Sequence, residues 1–255
     1  MKIFNNNYNF HYSFNGNKTQ PKILFLHGFI GNSQDFGSVI SLLSKKYCCL
    51  AVDLPGHGKT RVIGDEICYD MSNTAQALIR LLDDLQIDKC LLLGYSMGGR
   101  LALYMTLHFP DRFERVVLES ASPGLKTKAE RSHRRQADLE LGQKLENSNI
   151  REFLLNWYDR PLFQSLKNSP NFDRLIEALR YRCIGDVARE SVGCPGAWTV
   201  AEHVARKLIE HDDERKRAVR LFLPWAQAAR SGGFVGRKEV LTDRAVEILV
   251  LLVPF

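Results

Sequence analysis

Ser96 stands in the pentapeptide Gly94-Tyr95-Ser96-Met97-Gly98, after the apolar run Cys90-Leu91-Leu92-Leu93 and before a helix-patterned stretch from Gly99 to His108. A serine on so tight a strand-to-helix turn leaves no room for Cβ atoms two positions away, so glycines flank it on both sides. Such a turn lifts Ser96 Oγ above the carboxyl end of a strand. The following helix then presents its positive end, with the Met97 N–H, to whatever reacts there. The alternative is a glycine-rich turn that holds an inert serine. A second such turn, His27-Gly28-Phe29-Ile30-Gly31, follows Lys22-Ile23-Leu24-Phe25-Leu26. A backbone that turns sharply and aims an N–H at a developing oxyanion needs glycines, so Phe29 N–H and Met97 N–H are the expected oxyanion donors. His27 invites reading as a general base, but it directly follows a strand and is expected to hydrogen-bond the loop instead. Asp53, which opens the rigid turn Asp53-Leu54-Pro55-Gly56-His57-Gly58, is expected to tie down that loop rather than to act as a catalytic acid.

The elements that must position these groups alternate in type. Residues 8–14 and 22–26 alternate like a hairpin at a sheet edge, joined by the turn-rich Asn15-Gly16-Asn17-Lys18. Phe36–Ser44 then reads as helix, Cys48–Val52 as strand, Asn73–Leu85 as helix, Lys89–Leu93 as strand, Arg100–His108 as helix and Arg115–Leu118 as strand. This rhythm predicts an α/β fold whose mostly parallel sheet is covered by helices on both faces, with functional loops at the carboxyl ends of its strands. From Lys126 to about Arg180 long polar helices take over, with an aromatic cluster of Phe153, Trp157, Tyr158 and Phe163. The division expected is a core over 1–125, a helical cap over 126–180 and an atypical tail over 181–255. One more pair of core helices is the alternative for the middle segment.

The bulk numbers fit a water-soluble globule. The chain has 255 residues, 45% of them hydrophobic and 25% charged, which suffices for one sizeable core with a small cap. No apolar run approaches the roughly 20 residues of a membrane span. The N-terminus lacks an apolar h-region, so a cytosolic protein is expected. The six cysteines (Cys48, Cys49, Cys68, Cys90, Cys183, Cys194) form no C-x-x-C pair and no metal spacing. They read as reduced, buried apolar residues, and neither a metal nor a cofactor is expected. A net charge of +6 is spread among interleaved acids. Arginines gathered around an anionic small molecule suit this better than a nucleic-acid partner.

The motifs around Phe29, Asp53 and Ser96, in this order and spacing, resemble the α/β-hydrolase superfamily. Within it, Leu26-His27-Gly28-Phe29, Asp53-Leu54-Pro55-Gly56-His57-Gly58 and Gly94-Tyr95-Ser96-Met97-Gly98-Gly99-Arg100 are similar to the 2-succinyl-6-hydroxy-2,4-cyclohexadiene-1-carboxylate synthase family. Leu118-Glu119-Ser120, Pro123-Gly124-Leu125, Trp157-Tyr158 and Pro161-Leu162-Phe163 extend the resemblance over roughly residues 20–180. It implies a lyase of menaquinone and phylloquinone biosynthesis in which Ser96 acts as a base, pyruvate is eliminated, and Phe29 and Met97 stabilise the anion. It further implies that Tyr95, Arg100, Arg134, Trp157 and Arg180 hold a dicarboxylate substrate, for which guanidinium forks are suited. The run Arg131-Ser132-His133-Arg134-Arg135 reads equally as a solvated helix face. An esterase or C–C hydrolase using Ser96 as nucleophile, or a catalytically dead ligand-holding product, are the other readings.

The tail departs from the family. The superfamily carries an acid after a later strand and then a histidine in a Gly-His loop. After Ser96 only His108, His133, His203 and His211 remain, and none follows a strand with a glycine. Thirteen asparagines lie in residues 1–180 and none in 181–255, a change of composition no ordinary domain boundary makes. The native reading is therefore expected to end near Arg180, with the last part of the sheet incomplete. Ile248–Val253 is the expected final strand, and neither His203 nor His211 is expected to serve as the base.

Overall fold

The computed structural model describes residues 2–5, 7–121, 124, 125, 127–183, 237–240 and 247–251. Its strands are β1 (Lys2–Asn5), β2 (Tyr8–Asn15), β3 (Lys22–Leu26), β4 (Cys48–Val52), β5 (Arg61–Val62), β6 (Cys90–Tyr95), β7 (Phe113–Glu119), β8 (Arg237–Val240) and β9 (Glu247–Leu251). They share one sheet in the order β1-β2-β4-β3-β6-β7-β9-β8, with β5 beside β2. The pairs β4–β3, β3–β6, β6–β7 and β7–β9 are parallel, and the flanking pairs are antiparallel.

The expected hairpin of residues 8–14 with 22–26 does not form. β4 lies between them, antiparallel to β2, with Tyr12 opposite Val52, and parallel to β3, with Lys22 opposite Cys48. Burial explains the placement. Every residue of β4 is buried, so it has no face to give to water and takes an interior position, whereas the second half of β2 alternates and tolerates the outer one. The hairpin that does form joins β1 to β2.

Period-two alternation divides the core. Leu24 and Leu26 of β3 with Leu50 and Val52 of β4 face one side, where α2 (Met71–Asp84) and α3 (Met97–His108) pack. Ile23, Phe25, Cys49 and Ala51 face the other, against Phe36 and Ile40 near α1 (Gly37–Leu43). Helix α2 shows why it lies there: Met71, Thr74, Ala75, Leu78, Leu81 and Leu82 recur at three- and four-residue spacing and are all buried. Full burial of each leucine contributes roughly 1.5–3 kcal/mol.

After β7 come α4 (Lys128–Asn147), α5 (Ile150–Tyr158), α6 (Gln164–Lys167) and α7 (Phe172–Cys183). Thr127 and Glu130 cap the start of α4 reciprocally, and the Asn149 side chain accepts from Glu152 N–H to start α5. These helices bury a cluster of their own, centred on Phe153, Leu154, Ile176 and Leu179. Its only members from before residue 128, among the described residues, are Phe29 and Ile30 of the loop after β3. β9 covers most of the expected final strand, so with β8 the sheet continues past β7. Residues 200–220, which read as helical in the sequence, lie outside the described residues.

Candidate active site

Ser96 caps the start of α3 with φ 51° and ψ −110°, a left-handed conformation that costs a non-glycine residue on the order of 1–3 kcal/mol. Two bonds hold it there: Ser96 N–H donates to the Glu119 carbonyl at 2.8 Å, and Arg100 N–H donates to the Ser96 carbonyl at 3.1 Å. The flanking glycines are required by close approach. A Cβ at Gly94 would lie 2.4 Å from the Gly98 oxygen, and one at Gly98 would lie 2.2 Å from the Leu26 oxygen. As the first residue of α3, Met97 has no helical acceptor for its N–H.

The loop after β3 abuts this turn. A Cβ at Gly28 would lie 3.4 Å from Ser96 Cβ and 2.9 Å from Tyr95 Cδ1, so Phe29 follows a residue in contact with the serine. Ile30 next to it has φ 66°, an outlier for a β-branched side chain, and is held by its burial under the helical segment. Ser120, just after β7, is also left-handed at φ 50°. These strained positions surround one serine, where strain is characteristic of functional sites.

Three side chains brace the loops. Leu54 N–H donates to His27 Nε2 at 2.9 Å, so Nδ1 carries the proton and donates to the Gly28 carbonyl at 2.8 Å. Both ring nitrogens are thus occupied, and His27 has the structural role expected of it. Complete burial pulls its pKa down to about 4. The neighbouring His57 is lowered to about 3, chiefly by burial and then by His27. The Asp53 carboxylate accepts from Ser33 N–H at 2.8 Å and Lys59 N–H at 2.9 Å, and His11 Nδ1 lies 2.9 Å away. Burial alone would raise its pKa, but these donors and His11 outweigh that and hold it below the usual range. Asp53 is a clamp on the loop.

The helical segment supplies charge near Arg100. Arg134 Nε, on α4, donates to both oxygens of Asp138 one turn on, at 2.7 and 2.8 Å. Asp138 is 4% exposed, and burial raises its pKa against the pull of Arg134, Arg100 and Arg160. Arg100 is lowered first by burial and then by Arg134, with Asp138 opposing. Arg100, Arg134, Asp138 and Arg160 therefore form one electrostatic cluster. Trp157 borders it: its ring lies 4.9 Å from that of Phe29, and the Arg160 guanidinium sits 4.0 Å above it. Tyr95, 40% exposed, covers Gly28, and desolvation with the charges of Glu119 and Asp35 raises its pKa.

Of the sequence-expected residues, Phe29, Tyr95, Ser96, Met97, Arg100, Arg134 and Trp157 are thus brought together. Arg180 is not joined to them: its Nη1 pairs with Glu177 Oε2 at 3.2 Å on the exposed side of α7, where Arg151 also meets Glu177. Sequence reasoning missed Asp138 and Arg160. The first had a signal in its i,i+4 spacing from Arg134, the second none beyond its place before Pro161. Among the described residues no histidine hydrogen-bonds Ser96 Oγ, and His203 and His211 lie outside them. Among the same residues no group of three His, Cys, Asp or Glu side chains is placed to hold a metal, and no helix is long and apolar enough to cross a membrane.

Comparison with known proteins agrees with the fold. A family model described as the alpha/beta hydrolase fold matches residues 21–192. The chain is 35% identical over 158 residues to the chloroplastic protein PHYLLO of Arabidopsis thaliana, covering 60% of this chain and 9% of that one. It is 30% identical over 164 residues to the 2-succinyl-6-hydroxy-2,4-cyclohexadiene-1-carboxylate synthase of Serratia proteamaculans, covering 64% of this chain and 62% of that enzyme. The chain thus spans less than two thirds of the length of these curated relatives. Among solved structures, MenH from S. aureus superposes with a TM-score of 0.70 at 22% identity, over 95% of this chain and 89% of that one.

Proposed function

The chain belongs to the α/β-hydrolase fold family, and from that premise we propose that its site is built for a lyase reaction. The reaction eliminates pyruvate from 2-succinyl-5-enolpyruvyl-6-hydroxy-3-cyclohexene-1-carboxylate and leaves 2-succinyl-6-hydroxy-2,4-cyclohexadiene-1-carboxylate, a step of menaquinone and phylloquinone biosynthesis. The observation that carries the reading is the guanidinium cluster of Arg100 and Arg134 beside Trp157 and the strained serine turn. Hydrolysis of a neutral ester calls for no such cluster, whereas a substrate rich in carboxylates does. The name of the Serratia proteamaculans relative supports the same choice.

In this reading Ser96 Oγ takes a proton from a ring carbon. The electron pair shifts through the ring and the C–O bond to the enolpyruvyl group breaks. The leaving enolpyruvate takes up a proton and departs as pyruvate. Negative charge that develops on a substrate oxygen is met by the Phe29 and Met97 N–H groups, which need no reorganisation to receive it. Tyr95, Arg100, Arg134 and Trp157 hold the carboxylate-bearing ring under the helical segment, which acts as a cap. Arg180 could join them only by leaving Glu177.

A serine hydroxyl is a weak base until another group accepts its proton. The family supplies a histidine for this from a Gly-His loop, which the residues after 180 lack. We read that stretch as a frameshift, a fusion or a sequencing artefact. The test combines pyruvate release on adding the enolpyruvyl substrate with labelling by an active-site phosphonate. Release without a covalent intermediate, lost in Ser96→Ala, supports the lyase. A burst of product with phosphonate labelling of Ser96 makes it a hydrolase instead. Tight binding without turnover identifies a ligand-holding site without a working relay.

A further inference from the structure

We propose that Arg160 is an additional substrate-positioning residue, which receives the outer carboxylate of a ligand seated against Trp157. The inference rests on the lyase reading above. The Arg160 guanidinium lies 4.0 Å over the Trp157 ring, and that ring lies 4.9 Å from Phe29. Trp157 therefore touches both Arg160 and Phe29, the residue of the loop whose N–H is the proposed donor. Its backbone is fixed at φ −70° and ψ 149° ahead of Pro161, in the extended region a following proline imposes. The indole fixes the plane of the guanidinium by a cation–π contact, which leaves the fork of N–H donors on its edge unspent.

The surroundings show what that fork lacks. The Asp138 carboxylate, whose charge Arg160 feels, has both oxygens bound by Arg134 Nε. No carboxylate pairs with Arg160 among the described residues, yet it stands close enough to Arg134 for the two cations to repel. Like charges held together against repulsion mark a place where an anion is expected. Arg100 lies one turn beyond Ser96 in α3 and suits a carboxylate on the ring undergoing reaction. Arg160 is exposed at the rim of the cluster and suits the succinyl carboxylate, which projects from the ring.

Titration calorimetry on the full chain tests this with two ligands. The first is 2-succinylbenzoate, an aromatic dicarboxylate with the shape of the product; the second is 2-butanoylbenzoate, in which a methyl group replaces the tail carboxylate. Arg160→Ala should weaken the first about tenfold at low salt and leave the second within about twofold, as expected for one charge-assisted pair. Raising salt from about 0.05 to 0.5 M should shrink the tenfold loss, because the pair is exposed. Arg160→Lys should restore part of the loss, while Arg100→Ala should weaken both ligands. Equal weakening of both ligands by Arg160→Ala, or of neither, overturns the assignment of Arg160 while leaving the lyase reading standing. Failure of the unaltered chain to bind either ligand overturns the lyase reading itself.

Discussion

Two glycine-to-alanine changes, identical in chemistry, should have opposite effects on stability. At Gly98 an added Cβ would sit 2.2 Å from the Leu26 carbonyl oxygen, 2.5 Å from the Leu26 carbonyl carbon and 2.5 Å from the His27 oxygen. Carbon and oxygen rest comfortably at roughly 3.3–3.6 Å, so a backbone must move by about 1 Å. No flexible side-chain tip is available to yield, since every one of these atoms is main chain. The cost belongs at the upper end of overpacking penalties, about 3 kcal/mol. Gly37 is the control: it is exposed and helical at φ −51° and ψ −45°, with nothing within 4 Å of the added carbon. Alanine there should stabilise by about 0.5–1 kcal/mol, because it restricts the unfolded chain and favours the helix. A difference of nearly 4 kcal/mol corresponds to urea midpoints more than about 1 M apart. Moving the Leu26 and His27 carbonyls also moves the Phe29 N–H, and a shift of that size is worth about a hundredfold in turnover for an active form. Urea midpoints for Gly98→Ala and Gly37→Ala that coincide would refute the close-approach argument for the turn.

Two further outcomes can be checked separately. The pKa values of His27 and His57 fall to about 4 and about 3, below the ordinary 6.5, because both are buried neutral. The unfolded chain takes up protons below pH 6.5 that the folded chain refuses, so stability should be complete above that pH and decline as pH falls toward 4. The decline should reach roughly 3 kcal/mol or more in urea melts, and a flat profile would mean that the imidazoles are charged in the fold. For the tail, translation of the other two frames beyond codon 180 should reveal an acid followed by a Gly-His loop. Its absence from both frames would dismiss the frameshift reading.

What the sequence disclosed depended on how local the governing physics was. The serine turn was legible because its strand, glycine, serine, glycine, helix order is local and Gly94 answers to Gly98 four residues on, although Gly98 answers to the distant Leu26 and His27. β4 and α2 were legible because burial writes its period directly into the chain. The hairpin error had a different origin. Alternation tells which face of a strand is wet but not which strand lies beside it, and β4 entered between β2 and β3 through pairings 26 residues distant on one side and 34 to 40 on the other. Arg160 was hidden for a related reason, and for Asp138 only the i,i+4 spacing from Arg134 was visible. Their significance comes from neighbours on α3, α4 and the turn after α5, which no local pattern brings together. The left-handed conformation of Ile30 had no signal at all, since isoleucine is among the residues least suited to it.

Ile30 also shows how the two halves of the site depend on each other. Its φ of 66° costs on the order of 1–3 kcal/mol, which the turn bond from Gly31 N–H to the Gly28 carbonyl at 3.1 Å helps to offset. Burial of its side chain to 8% exposure against Phe153, Leu154, Ile176 and Leu179 returns a similar amount, roughly 1.5–3 kcal/mol. The two contributions are of similar size, so the cover of the helical segment helps the loop keep its shape. The same loop carries the Phe29 N–H, and the same segment carries Arg134, Trp157 and Arg160. The loop after β3 and the helical segment are consequently joined in one packing cluster, so displacing α5 and α7 should remove the cover that holds Ile30 in its strained conformation.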